Sequence, residues 1–305
     1  MTTVEATATR VRSSEQTAEA AGPKTANRGR LSRTLVGSVL LLYVLYSLAP
    51  LVAMLIESTK DVADLSSTSV FSLGSFHLWD NLKAVFTTDG GIYPRWLGNS
   101  LLYAGGGAAL QALICCFTGY AFDKFDFRGK DRLFAFVLVG ALVPTTVLML
   151  PQFLVFSKIG IVNTVWAILL PSIVNPAGVF LARVFSQAYI PDELLEAARL
   201  DGAGEVRIFF TVGLRLLGPG FATIAIFAFT SIWQGFQLAL IMLNNSKLYP
   251  LNLGLYLWHG DSVTDNPSLA PVVMTGSLIA VIPMIIVMVG LQRFWKAGLT
   301  AGSIR

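Results

Sequence analysis

The chain has 305 residues, 54% hydrophobic and only 13% charged, where a soluble domain carries about 25% charged residues. That balance excludes a water-solvated globular domain and points to a bilayer as the solvent for most of the chain. Its two histidines, His77 and His259, have no Cys or His at ligand spacing, and its adjacent cysteines, Cys115 and Cys116, do not suit disulfide geometry and read as small apolar filler, so no metal centre or disulfide framework is expected.

Residues 1–33 are rich in Thr, Ala, Ser and charge and nearly devoid of large apolar side chains, so a disordered tail is expected. The apolar run after Arg33 is too long for the core of a cleaved signal peptide. Apolar windows then predict membrane helices over about residues 34–56, 96–122, 133–157, 164–185, 216–243 and 269–292. Each reaches the roughly 20 residues that an α-helix needs to cross the hydrocarbon. All must be helices, because an open sheet edge in lipid leaves backbone groups unpaired. Residues 57–95 form the longest connection, and its "SFHLWDNLKAVF" is expected to form a short interfacial helix. "KIGIVN", residues 158–163, supplies the turn between the third and fourth spans, and residues 296–305 form a C-terminal tail.

Lys and Arg counting sets the expected orientation. With the N-terminus inside, the outer segments hold only Lys60, Lys83, Arg95, Lys158 and Lys247 of the 22 basic residues; the other seventeen lie inside. Both termini are therefore expected on the cytoplasmic side, together with the loop over residues 190–218.

That loop reads "IPDELLEAARLDGAGEVRIFF" and carries a helix start at Pro191, with Asp192 and Glu193 where the helix dipole favours negative charge. Asp201-Gly202 is a stop, since Gly tolerates the positive φ that follows a helix end. A second helix is expected near Ala203, with Val206, Phe209 and Phe210 on one face. The product is a helix–turn–helix whose Ala197, Ala198, Gly202 and Ala203 offer a small-residue surface to a partner's groove. Composition alone equally allows an amphipathic linker resting on the membrane.

The loop resembles the cytoplasmic "EAA" segment of ABC importer permeases, E-A-A-x-x-D-G-A followed by an aromatic run and a proline. Glu196, Ala197, Ala198, Asp201, Gly202, Ala203, Phe209 and Pro219 match, while Arg215 stands where a proline is usual. Residues 99–131, 143–164 and 249–258 and the ending "KAGLTAGSIR" are similar to the carbohydrate branch, specifically the shorter six-span subunit of maltose-type importers. The resemblance implies an all-α type I importer permease fold with six transmembrane helices in a bacterial cytoplasmic membrane. It also implies a second permease subunit, two ATPase subunits that use ATP and Mg, and an extracytoplasmic sugar-binding protein. In that setting Glu196 would cap the loop or pair with Arg199, Gly202 would permit the turn, and the alanines would permit close docking on an ATPase.

No G-x-x-x-x-G-K-[ST] phosphate loop occurs, so the chain binds no ATP by that chemistry and needs an external motor. Polar residues inside spans are candidates for a sugar path: Gln152, Asn175, Trp233, Gln234 and Gln237, each with helix–helix packing as the alternative. An importer for an amino acid, peptide or phosphate shares the loop and is the rival reading. A membrane enzyme or ion-coupled carrier would need ionisable residues within the spans, which contain none in their interiors.

Overall fold

The computed structural model describes residues 26–301, with side-chain surroundings for residues 33–290. Of the tail expected to be disordered over residues 1–33, residues 1–25 lie outside the described residues, while residues 26–33 begin a helix that runs to Glu57; of the C-terminal tail expected over residues 296–305, residues 296–301 continue the last helix and residues 302–305 lie outside the described residues. Two units divide the chain, residues 1–53 and 54–305. The first carries most of helix α1 (Ala26–Glu57), which holds Pro50 without a break. None of the apolar stretch Arg33–Glu57 is buried, and the consecutive exposed residues Val39, Leu40, Leu41, Leu42, Tyr43, Val44, Leu45 and Tyr46 put apolar groups on every side of it, which suits a lipid environment.

The second unit opens with two short helices, α2 (Val62–Ser67), capped by the Asp61 carboxylate, and α3 (Leu78–Thr87). Helix α4 (Tyr93–Leu101) passes through a wide π turn at Leu102–Gly106 into α5 (Gly107–Lys124), making one apolar stretch of 32 residues. Helices α6 (Lys130–Gly140) and α7 (Thr145–Lys158) follow, then α8 (Trp166–Ser172) and α9 (Pro176–Tyr189). The loop region holds α10 (Asp192–Leu200), α11 (Glu205–Ile208), a π turn at Phe209–Gly213, and α12 (Leu214–Leu216). The chain ends with α13 (Gly218–Gln234), α14 (Gln237–Met242), α15 (Leu251–Thr264) and α16 (Leu269–Ala301). No strand occurs among the described residues.

Among the described residues three helices are long and apolar enough to cross a membrane unbroken, or up to six spans if each bent pair counts as one. The window expected as one helix over residues 133–157 bends by 98° between α6 and α7. Pro144 causes it: held at φ −60, ψ 128, it lacks an N–H to continue α6 and instead starts α7. The window over 164–185 bends by 45° at Asn175-Pro176, where the Asn175 Oδ1 accepts the Gly178 N–H at 2.9 Å as an N-cap. The window over 216–243 is also broken. Helix α13 stops at Gln234, Gly235 is extended, and α14 is a separate short helix. The bend before α13, 79° from the preceding segment, falls at Leu217 with Pro219 in the first turn, so it forms without a proline at Arg215.

Helices α5 and α13 thread two main apolar clusters. One end of each packs among Tyr93, Trp96, Leu251, Leu255 and Trp258. The other end packs among Val179, Ala182, Leu195, Ile208 and Phe209. Cys115 and Cys116 are buried and free within the second cluster, as filler should be. Close approach of α5 and α9 depends on Gly119, where a Cβ would lie 2.6 Å from both the Ala182 Cβ and the Arg183 backbone nitrogen. Backbone cannot yield as a side chain can. Gly119→Ala is therefore expected to destabilise by about 1–3 kcal/mol, read as a lower melting temperature of the purified transporter. Gly98→Ala, in helix α4 with nothing within 4 Å of its Cβ, is expected to hold or raise that temperature.

Candidate functional site: the Asp-Gly bend and its anchor

Helix α10 begins after Pro191, an extended N-cap residue, and places Asp192 and Glu193 in its first turn. Leu195 is its one buried residue. The helix closes in a Schellman arrangement: the Ala203 N–H donates to the Ala198 carbonyl at 3.1 Å and the Gly202 N–H to the Arg199 carbonyl at 2.9 Å. Gly202 sits at φ +78, where any Cβ is strained, although nothing lies within 4 Å of that position. Ala198 and Ala203, the residues joined by the outer bond, are half-buried against the second apolar cluster.

The four expected small residues therefore divide. Ala197 and Gly202 are exposed together with Glu196 and Asp201, while Ala198 and Ala203 fill the underside of the bend. Large apolar side chains flank the exposed part instead: Leu200 is 89% exposed, and Leu194, Val206 and Phe210 also stand out. The face expected to unite Val206, Phe209 and Phe210 is split, because Phe209 is buried beside Ile208 while the other two point away. The wide turn at Phe209–Gly213 starts there and shifts the register from the 3.6-residue period.

Arg199 does not pair with Glu196. Its Nε donates to Glu205 Oε1 at 2.7 Å and its Nη2 to Oε2 at 3.3 Å, bridging α10 to α11 across the bend. That bond raises the Arg199 pKa above its ordinary value. Both side chains are about 40% exposed, so the pair sets geometry more than stability. The Glu196 side chain makes no hydrogen bond to another described residue.

A second set of contacts fastens the bend to α5. The Lys124 Nζ donates to the Ile190 carbonyl at 2.6 Å and to Asp192 Oδ1 at 2.7 Å, and lies 3.2 Å from Asp123 Oδ2. Asp123 Oδ2 in turn accepts the Ser186 Oγ at 2.7 Å, from the last turns of α9. The Lys124 and Asp123 side chains are almost fully buried. Hydrogen bonding by Lys124, and then its charge, hold the Asp192 carboxyl below its ordinary pKa. Sequence reasoning saw Lys124 only as one of the inside positive charges; its partners are 66 and 68 residues away.

The path candidates do not form one constellation. Trp233 is buried and stacks on Phe229 with centroids 5.6 Å apart, and its carbonyl accepts Asn252 Nδ2 at 2.8 Å. Asn175 is occupied as the cap of α9. Gln234 and Gln237 are exposed on either side of the break between α13 and α14, and Gln152 is half-buried in α7. No hydrogen bond joins these three amides to a described residue. A polar residue that the span survey passed over is Gln111 of α5, 4% exposed, with its Nε2 unpartnered among the described residues.

Residues 116–299, more than half of the chain, match the family described as "Binding-protein-dependent transport system inner membrane component". The chain is 33% identical over 259 residues to the arabinooligosaccharides transport system permease protein AraQ of Halalkalibacterium halodurans, covering 84% of this chain and 90% of that protein. It is 29% identical over 267 residues to the melibiose/raffinose/stachyose import permease protein MelC of Bacillus subtilis, covering 84% and 91%. In fold it is similar to a chain of a bacterial ABC transporter involved in the import of the acidic polysaccharide alginate, with a TM-score of 0.76 at 23% identity, covering 89% of this chain and 99% of that one. The chain belongs to the family of binding-protein-dependent transport system inner membrane components: it is a multi-pass membrane permease subunit of an ABC importer and not an enzyme.

Proposed function

We propose that this chain is the six-span half of a sugar importer, with both termini on the cytoplasmic side. A second permease subunit completes the path, two ATPase subunits supply the energy, and an extracytoplasmic binding protein delivers the substrate. The observation that carries the coupling role is the exposed bend at Glu196, Ala197, Asp201 and Gly202, ringed by Leu194, Leu200, Val206 and Phe210. An unpartnered apolar rim around a rigid turn suits insertion into a groove of another subunit. Closure of the ATPases pulls the bend, and the connected helices shift between inward- and outward-facing states through differential contacts.

Sugar as the substrate class is supported by the relatives, which are named for arabinooligosaccharides, for melibiose, raffinose and stachyose, and for lactose. None of these names favours an amino acid, a peptide or phosphate. Within the path, Gln234 and Gln237 are the amides free to meet hydroxyl groups, with Gln152 on α7 as a third. Trp233 and Asn175 contribute by holding α13 and α9 in place. Uptake of a radiolabelled oligosaccharide by cells carrying the intact system tests the assignment. Accumulation is expected with the native ATPase and not with an ATPase lacking its phosphate-loop lysine. Equal accumulation with that variant, or transport of amino acids in place of sugars, overturns it.

A further inference from the structure

Residues 58–87 present an inverted arrangement of polar and apolar groups. The polar groups turn inward. Lys60 is 1% exposed and its Nζ donates to the Ser69 carbonyl at 2.8 Å, fastening one end of the loop that follows α2. Asp64 accepts the Ser75 N–H at 2.8 Å and also its hydroxyl, fastening the other end. The His77 N–H donates to the Thr59 carbonyl at 2.7 Å, and the buried Asn81 donates to the Ser58 and Lys60 carbonyls, each at 2.9 Å.

The apolar side chains turn outward. Phe71, Leu73, Phe76 and Trp79 are between 61% and 82% exposed, and Val70 joins them. They fall in a stretch, residues 65–79, with no Asp, Glu, Lys or Arg. In water such a loop would hide these groups. Held rigidly by its inward bonds, it cannot collapse over them.

The depth of the loop follows from its tethers. Ser58 and Thr59 directly continue the membrane helix that ends at Glu57. The Ser58 carbonyl also accepts the Thr275 hydroxyl at 3.3 Å, and Thr275 lies in the second turn of α16. Bonds to these residues hold the segment carrying Phe76 and Trp79 at the level where membrane helices end. Aromatic rings are favoured at that level, with apolar bodies toward the acyl chains. Charged Asp80 and Lys83 sit beside Trp79 on α3, where they can reach headgroups or water.

The geometry points to residues 70–79 as a built-in lipid anchor: a clamped loop whose Phe71, Leu73, Phe76 and Trp79 insert into the membrane–water interface. This depends on the chain crossing a membrane and is independent of the ATPase-coupling proposal. Its occupant is the bilayer, in continuity with the lipid around the helices at either end of the loop. Interfacial helices bind in the same way, burying Trp, Phe and Leu about 5–10 Å into the boundary between headgroups and acyl chains.

Trp79 supplies its own probe. The complete transporter is reconstituted in phosphatidylcholine brominated high on its acyl chains, and its emission is compared with that of Trp79→Phe. The difference isolates one of the chain's 6 tryptophans. Because Trp79 is largely exposed, the substitution leaves no core cavity. The component lost in the variant is expected to be quenched at least twofold by brominated lipid and to be insensitive to aqueous iodide. Quenching by iodide would place the loop in water, and insensitivity to both would mean that another protein covers it; either result overturns the anchor.

Discussion

Gly202→Trp is expected to leave membrane insertion intact while lowering substrate-stimulated ATP hydrolysis and sugar uptake at least tenfold. The residue occupies φ +78 at the position after the end of α10, where a Cβ costs about 1–2 kcal/mol. A tenfold change in a coupled equilibrium needs only about 1.4 kcal/mol, so strain in the turn alone reaches that scale. Bulk adds to it, because the bend is exposed and stands at the centre of the apolar rim formed by Leu194, Leu200, Val206 and Phe210. Gly202→Asn provides the contrast. Asn tolerates the left-handed region better than other residues with a Cβ, and it is expected to retain most of the uptake. Insertion is read by membrane fractionation, and coupling by the ratio of stimulated to basal hydrolysis. Normal uptake by the Trp variant would remove the bend from the energy path.

Lys124→Met should separate hydrolysis from transport by loosening the bend from α5. In the native chain the ammonium partners the Ile190 carbonyl, Asp192 and Asp123. Its removal leaves the nearly buried Asp123 carboxylate with Ser186 alone, at a cost of about 2–4 kcal/mol. The expected result is a fall in melting temperature with basal hydrolysis retained and uptake reduced at least fivefold. Asp123→Asn added to Lys124→Met removes the stranded charge and is expected to restore the melting temperature but not uptake, since α5 still lacks its hold on residues 190–192. Recovery of both would make Lys124 a purely structural residue.

The same contact has a pH signature. Asp192 is held below its ordinary value of 3.8 by the Lys124 hydrogen bond. The contribution of that link is thus fully present above 3.8 and is lost only as pH falls through the lowered value. Uptake across neutral pH should show no titration from the Asp192 carboxyl.

Much of the candidate site was visible in the linear chain because its determinants are local. The Asp201-Gly202 stop follows from the conformational freedom of glycine, and the helix before it from its formers and its acidic first turn. The face assignments were less legible. In a water-soluble helix the apolar side is the buried side, so periodicity identifies the core. Here lipid or a neighbouring subunit can accept an apolar face, and Val206 and Phe210 are as free to point outward as Phe209 is to point in. The same ambiguity hid the break in the window over 216–243, since Gly235 and Phe236 differ little in polarity from the helices they separate.

By itself the amino-acid order determined that this is an all-helical membrane protein, and where a rigid turn interrupts the connection over residues 190–218. Those properties depend on hydropathy summed over about 20 residues and on the backbone freedom of single residues. Only the tertiary structure decided that Lys124 joins α5 to the start of α10, that Ala198 and Ala203 lie beneath the bend, and that Trp233 is buried against Phe229. Each of these results from side chains brought together across distant parts of the chain, where direction and distance in space set which polar group finds a partner.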